Sequence, residues 1–355
     1  MLQILHDVKI DWLGNRVWFI GVSVLLMLAG LASAIVRQAT GGQAFNLGVD
    51  FKGGTVVTAK FKQRPNDETI RSALVSKGVH DAVVQPVTDK TDTVLIKVPL
   101  EGEGQDGRVK VREALNTFGK EAAPNLDLEN DANATYKIIG TDAVGAVAGA
   151  QLRNKAIAVT LAALVGILIY IAFRFEWTYG AAAVIAVFHD VLVTLGFFSI
   201  FQFEVSLTVI AALLTLVGFS VNDTIVVFDR IRENRKLHRR DSLYKVTNDA
   251  INQTLSRTII TSGLVFLSVL AMVLFGGEVL RGFSVALLIG VVFGTYSSVA
   301  IASPIMVWWE QRIEAANRQA ALAFNQPLKG GVRTPAKAPS KGPSKASNRR
   351  AGVKL

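Results

Sequence analysis

Five residues in the second half of the chain carry chemistry in places where inert sequence would not put it: His189 and Asp190, Asn222 and Asp223, and Arg257. Each sits within or at the margin of a long apolar run. A charge there costs several kcal/mol unless it is paired or watered. An aspartate whose charge depends on a partner and on water access binds and releases protons, which is the chemistry needed to couple a proton gradient to movement. Asp190 and Asp223 on successive apolar segments also have the composition of a proton-sharing dyad. The glycine-rich setting that a protease of that kind has before its second aspartate is replaced by Val221-Asn222, and Ser220 with His189 lacks the turn of a serine nucleophile. His80-Asp81 likewise has no serine beside it and reads as a loop, so no catalytic residue is assigned.

The elements that hold these groups are membrane spans. Half of the 355 residues are hydrophobic. Val17 to Val36, Ala156 to Phe173, Thr258 to Gly276 and Gly282 to Trp308 are uncharged and long enough to cross a bilayer. Thr178 to Ile200 and Ser206 to Phe228 are as long and contain the ionisable residues, giving six spans. The first is an anchor rather than a cleaved signal: its run of 20 residues exceeds a signal core, although Ala32-Ser33-Ala34 has the form of a cleavage site. With no cysteine and only four histidines spread along the chain, neither disulfides nor a metal cluster is expected, and no cofactor.

Loop charges orient the spans. Asp229 to Lys245 holds Arg230, Arg232, Arg235, Lys236, Arg239, Arg240 and Lys245 and is read as cytoplasmic. Both termini then lie inside, against the single contrary signal of Arg281. The resulting divisions are a cytoplasmic N-terminus at 1–16, a first span at 17–36, an extracytoplasmic α+β domain at 37–154, and the remaining bundle at 155–309 with a cytoplasmic loop at 229–257. A basic tail at 310–355, rich in Pro, Gly and Ser from Pro327, reads as disordered and suited to anionic membrane lipid, with no specific nucleic-acid partner. The net charge of +10 belongs to the cytoplasmic side, since Arg37 to Arg153 has 15 basic and 15 acidic residues.

Within that domain, strand-like runs at Thr55 to Phe61, Ala82 to Val87, Thr93 to Val98 and Tyr136 to Gly140 alternate with helical stretches at Asp67 to Ser76 and Gly107 to Glu121. The order β-α-β-β-α-β predicts a ferredoxin-like sandwich. Asp50, Gly53 and Gly54 mark a tight structural turn where the domain meets the membrane. In the bundle, Thr208, Thr215 and Asn222 recur every seven residues, and Thr254, Arg257, Thr261 and Ser268 share one side of the next span. Both faces are expected to point into the bundle, with Asp223 and Arg257 at matching depth and able to pair.

These motifs resemble the SecF family. The likeness covers residues 10–312. It rests on Gly48-Val49-Asp50-Phe51-Lys52-Gly53-Gly54, on Phe188-His189-Asp190, on the long run from Gly218-Phe219-Ser220-Val221-Asn222-Asp223 to Arg232-Glu233-Asn234, and on Leu255-Ser256-Arg257-Thr258. The resemblance implies an RND-like half, an integral membrane protein of six helices that pairs with SecD beside the SecYEG translocon in the bacterial cytoplasmic membrane. It implies work on translocating preproteins driven by the proton-motive force, with Asp223 and Arg257 linked to proton passage. An RND-type small-molecule exporter is the other reading; a self-contained pump needs about twice the spans.

Overall fold

The computed structural model describes residues 9–80, 82–87, 90–99, 107–174 and 176–325. The first eight residues, Asp81 and the basic tail beyond Asn325 lie outside the described residues; the stretch 310–325, expected to be disordered with the rest of that tail, is helical.

Helix α1 (Arg16–Ala39) is the first span. After it come a two-residue strand β1 (Asn46–Leu47), a single helical turn α2 (Val49–Lys52), and then β2 (Gly54–Phe61), α3 (Asp67–Ser76), β3 (Val83–Val87), β4 (Lys90–Pro99), α4 (Gly107–Leu115), β5 (Lys120–Glu121) and β6 (Ala134–Val144). The principal strands pair antiparallel in the order β3-β4-β2-β6, with the short β5 added parallel at the β6 edge. This is the ferredoxin-like arrangement that the element order predicts. Alternation along β2 and β4 buries Val57, Ala59, Phe61, Val94, Ile96 and Val98 on one face, where they meet Ile70 and Leu74 of α3 and Val111 and Leu115 of α4. The helix expected over Gly107 to Glu121 stops at Leu115. A tight turn over Asn116–Phe118 follows, and Gly119 at φ +140° redirects the chain into β5.

The remaining helices are α5 (Ala146–Arg174), α6 (Trp177–Phe201), α7 (Leu207–Leu237), α8 (Leu243–Phe275) and α9 (Gly277–Ser297), with strand β7 (Glu204–Val205) in the turn between α6 and α7. A π-helical turn over Ser298–Ala302 joins α9 to α10 (Ser303–Asn325). Pro304, which has no N–H to give to the preceding turn, follows directly. Six helical stretches, the last running through the π turn, are long and apolar enough to cross a membrane. From Arg312 onward the residues form a unit of their own.

Two sequence boundaries change. Residues 229–257 are not a loop: α7 continues to Leu237 and α8 begins at Leu243, leaving a link of 238–242. Arginine and lysine favour helix as readily as leucine, so charge density marked where the helices leave the apolar layer and not where they end. The second span likewise begins at Ala146, inside the range assigned to the α+β domain.

Small residues let the helices close on one another. A Cβ on Gly30 of α1 would lie 2.4 Å from the Cα of Gly196 on α6, and one on Gly290 of α9 would lie 2.5 Å from Leu216 Cδ1 on α7. Backbones at such range gain dispersion that bulkier helices forgo, the usual source of helix association where no hydrophobic effect operates.

Candidate functional site

The polar residues of the spans form two buried clusters and one outward stripe. In the first cluster, Asp190 of α6 is 1% exposed. Its Oδ1 lies 2.9 Å from Nδ1 of His189. Oδ2 accepts the hydroxyl of Ser220 on α7 at 2.5 Å and that of Ser297 on α9 at 2.8 Å. Gly294 makes the approach of α9 feasible, since a Cβ there would stand 3.3 Å from Ser220 Cβ and 3.6 Å from Asp190 Oδ2. One turn further along, Thr224 and Ser298 hydroxyls meet at 2.9 Å, with Ser298 at the start of the π turn. His189 Nε2 is buried and has no hydrogen-bond partner among the described residues. In the tautomer that gives Nδ1–H to Asp190, Nε2 is a bare lone pair facing the interior.

The second cluster is smaller. Asp223 of α7 is 3% exposed, and its Oδ2 accepts the hydroxyl of Ser262 on α8 at 2.8 Å. The expected pairing with Arg257 is not formed: among the described residues these two make no ion pair, and Arg257 is exposed. The antiparallel register of α7 and α8 explains it. Ser262 and Arg257 are five residues apart, about 140° around a helix of 3.6 residues per turn, so the face that offers Ser262 to Asp223 keeps Arg257 beyond ion-pair distance, though near enough for its charge to act on the carboxylate.

The stripe also reverses an expectation. Thr208, Thr215 and Asn222 do share a face of α7, and Arg257, Thr261 and Ser268 share one of α8, but all six are exposed; of the residues expected inside, Thr254 alone is buried. Seven-residue spacing fixes that residues share a face and says nothing of which way the face looks.

The motif at the domain junction is built more tightly than a simple turn. Gly53 and Gly54 have φ of +81° and +154°, and a Cβ on Gly54 would fall 2.4 Å from the carbonyl oxygen of Val98. Asp50 Oδ2 accepts the backbone N–H of Leu207 at 3.0 Å, the first residue of α7. Beside it β1 pairs parallel with β7.

At the opposite end of the bundle sequence reasoning missed a docked segment. Asp11 Oδ1 accepts from Tyr244, Asn248 and the Gly14 N–H, while Trp12 and Leu13 N–H groups donate to Asn248 Oδ1 and Trp12 Nε1 to Asn252. These bonds, the Tyr244 hydroxyl first, hold the Asp11 carboxyl below its usual value. Arg235 also forks onto Glu310 at 2.9 and 3.1 Å. Apart from the local Gly14 bond, the contacts lie more than 70 residues apart in sequence, and no local pattern announces them.

A six-span membrane protein with a ferredoxin-like domain between its first two spans, and with sealed carboxylates at its helix seams, belongs to the class of transport subunits. Residues 126–312 match the family described as Protein export membrane protein SecD/SecF, C-terminal, and residues 39–63 the SecD/SecF GG motif. The chain is 39% identical to the Protein translocase subunit SecF of Koribacter versatilis, over 87% of this chain and 94% of that one. It is also 39% identical to the SecF subunit of Gemmatimonas aurantiaca, over 91% and 95%. A crystal structure of SecDF, a translocon-associated membrane protein from Thermus thermophilus, superposes with a TM-score of 0.69 at 36% identity. The superposition covers 86% of this chain, which spans 39% of the length of the SecDF protein. The chain belongs to the SecF family of protein translocase subunits.

Proposed function

We propose that this subunit couples the proton-motive force to preprotein export, paired with SecD and beside the SecYEG translocon in the bacterial cytoplasmic membrane. The observation that carries the reading is Asp223, sealed at the α7/α8 seam one residue from the outward stripe of Asn222, Thr215, Arg257 and Thr261. An arginine exposed to lipid at the edge of an apolar run carries a cost, smaller than at the helix centre because its side chain reaches toward the interface. A second six-span half laid on that stripe removes the cost and brings its polar groups to within a helix diameter of Asp223. Pairing with SecD supplies such a half. The Thermus SecDF chain, of which this one matches about two fifths, has the length for both.

In this reading Asp223 takes up and releases the coupling proton, Arg257 and Asn222 line its route at the subunit seam, and His189 with Asp190 forms a second proton-holding pair inside the subunit. The Asp190 carboxylate ties α6 to α7 and α9 through two hydroxyls, so adding a proton weakens charge-assisted bonds that hold three spans together. Both termini lie in the cytoplasm, because the arginine-rich helix ends around the 238–242 link are at the end of the bundle away from the α+β domain. No cofactor is required beyond the proton.

Asp223→Asn tests the reading, since asparagine still accepts from Ser262 and removes only the titratable charge. In cells carrying SecD, the variant loses the gradient-dependent completion of preprotein export. Export at the wild-type rate would falsify proton coupling through Asp223.

A further inference from the structure

At the junction between the α+β domain and the bundle, an apolar cluster around Phe51 is joined by ionic and backbone contacts that converge on one helix end. Lys97, on strand β4, places Nζ at 3.0 and 2.9 Å from the two carboxylate oxygens of Glu204. Glu204 belongs to β7, three residues before α7 starts. Both side chains are shielded, 18% and 23% exposed. Gly48 leaves the room this carboxylate occupies: a Cβ there would lie 2.6 Å from Glu204 Oε1. Two residues on, Asp50 accepts the first N–H of α7, an acid at the positive end of the helix dipole. The turn that carries Asp50 cannot slide freely, because a Cβ on Gly149 of α5 would lie 2.9 Å from Gly53 N and 3.1 Å from Phe51 O.

Nothing in the stability of either partner needs these contacts. The sheet closes its own core with Val94, Ile96 and Val98, and α7 is packed along its length by Leu213, Leu216 and Val217. A single partly exposed ion pair adds little to folding. What the contacts do is fix the start of α7 to the domain at two points, one on β7 and one on the first residue of the helix. Helices are stiff over such lengths, so the position of Leu207 sets that of Asp223 sixteen residues along.

We propose that Lys97, Glu204 and Asp50 are positioning residues through which the α+β domain sets the register of α7, and with it the seam that holds Asp223. The proposal rests on the proton-coupling reading above. It makes the external domain part of the coupling device, where a load on the domain is felt at the proton site and the reverse.

The full chain with its SecD partner, in membranes, is assayed for gradient-driven and gradient-independent preprotein export. Lys97→Glu is expected to lower the gradient-driven component roughly 5- to 150-fold, the range of ordinary coupling between sites, and to leave the other component unchanged. The reversed pair, Lys97→Glu with Glu204→Lys, restores it. Adding Lys97→Glu to Asp223→Asn produces no further loss, because both act through one helix. A single reversal that exports normally, a double reversal no better than the single, or additive losses with Asp223→Asn would each overturn the proposal. If Asp223→Asn itself exports normally, the proton reading fails; if it fails to export while Lys97→Glu is normal, only the positioning role is lost.

Discussion

Replacing Asp190 by valine and by asparagine separates hydrogen bonding from charge at the α6/α7/α9 seam. Both substitutions remove the carboxylate, and both side chains are near aspartate in volume. In the native cluster Asp190 serves Ser220, Ser297 and His189. The asparagine amide oxygen accepts both hydroxyls, and its NH2 donates to Nδ1 once the histidine proton sits on Nε2. Valine offers nothing. Three interactions are then lost in a place sealed from water, at about 0.6 kcal/mol each on average and about 1.7 at most for bonds inside membranes, or roughly 2 to 5 kcal/mol together. The structure favours the lower half of that range, because Ser297 already has the Gly294 carbonyl at 3.1 Å as a fallback. About 2 to 3 kcal/mol corresponds to roughly a 30- to 150-fold shift in an equilibrium constant. Reversible denaturant unfolding of the purified chain in mixed micelles measures it, with Asp190→Val the less stable. Equal stabilities would refute the reasoning, since the hydroxyls would then have other partners and the cluster would be held by packing alone.

Two further perturbations address packing and the domain. Gly290→Val drives a branched side chain into Leu216 and costs about 1 to 3 kcal/mol of overpacking, whereas Gly218→Ala, with open space around it, does not lower thermal stability in detergent. Tyr136, fully buried, donates to Asn116 Oδ1 at 2.8 Å, and burial pushes its hydroxyl up to about 12 from 10.0. The raised group contributes stability that is fully present below pH ~10 and is lost as pH rises through ~12, at most about 3 kcal/mol for two units. Domain unfolding followed by circular dichroism, with tyrosinate absorbance alongside, shows this alkaline phase in the wild type and not in Tyr136→Phe.

The spans, the ferredoxin-like order and the positions of His189, Asp190, Asp223 and Arg257 were legible because each depends on local composition: an uncharged run, an alternation, a charge where none belongs. The partners of those charges were not. Ser220, Ser262 and Ser297 look like ordinary small residues of membrane helices, and they become donors only through a helix register set by Gly290, Gly294 and the π turn before Pro304. The Arg257 error has the same origin. Depth can be estimated from distance to a span end, but azimuth about the helix depends on which side the neighbours occupy, and six helices admit several packings of one pattern. Asp11 against Tyr244 and Asn248 is a contact across more than 230 residues, and only tertiary structure reveals it.

The division of polar groups into sealed and outward sets carries its own argument about assembly. Asp190 finds partners for both oxygens within the subunit, in two serine hydroxyls and a histidine, and Asp223 for its Oδ2 in the Ser262 hydroxyl. Arg257 and Asn222 do not face those carboxylates, although each lies within two turns of one in sequence or register. An ion pair between Arg257 and Asp223 would be favourable only where their attraction repaid the desolvation of both charges. The register instead gives Asp223 a neutral hydroxyl and leaves the cation on the outer face. Under the proposed pairing with SecD this is the arrangement expected of half a site: the carboxylate makes no ion pair among the described residues, and the arginine lies on the surface that the second half covers.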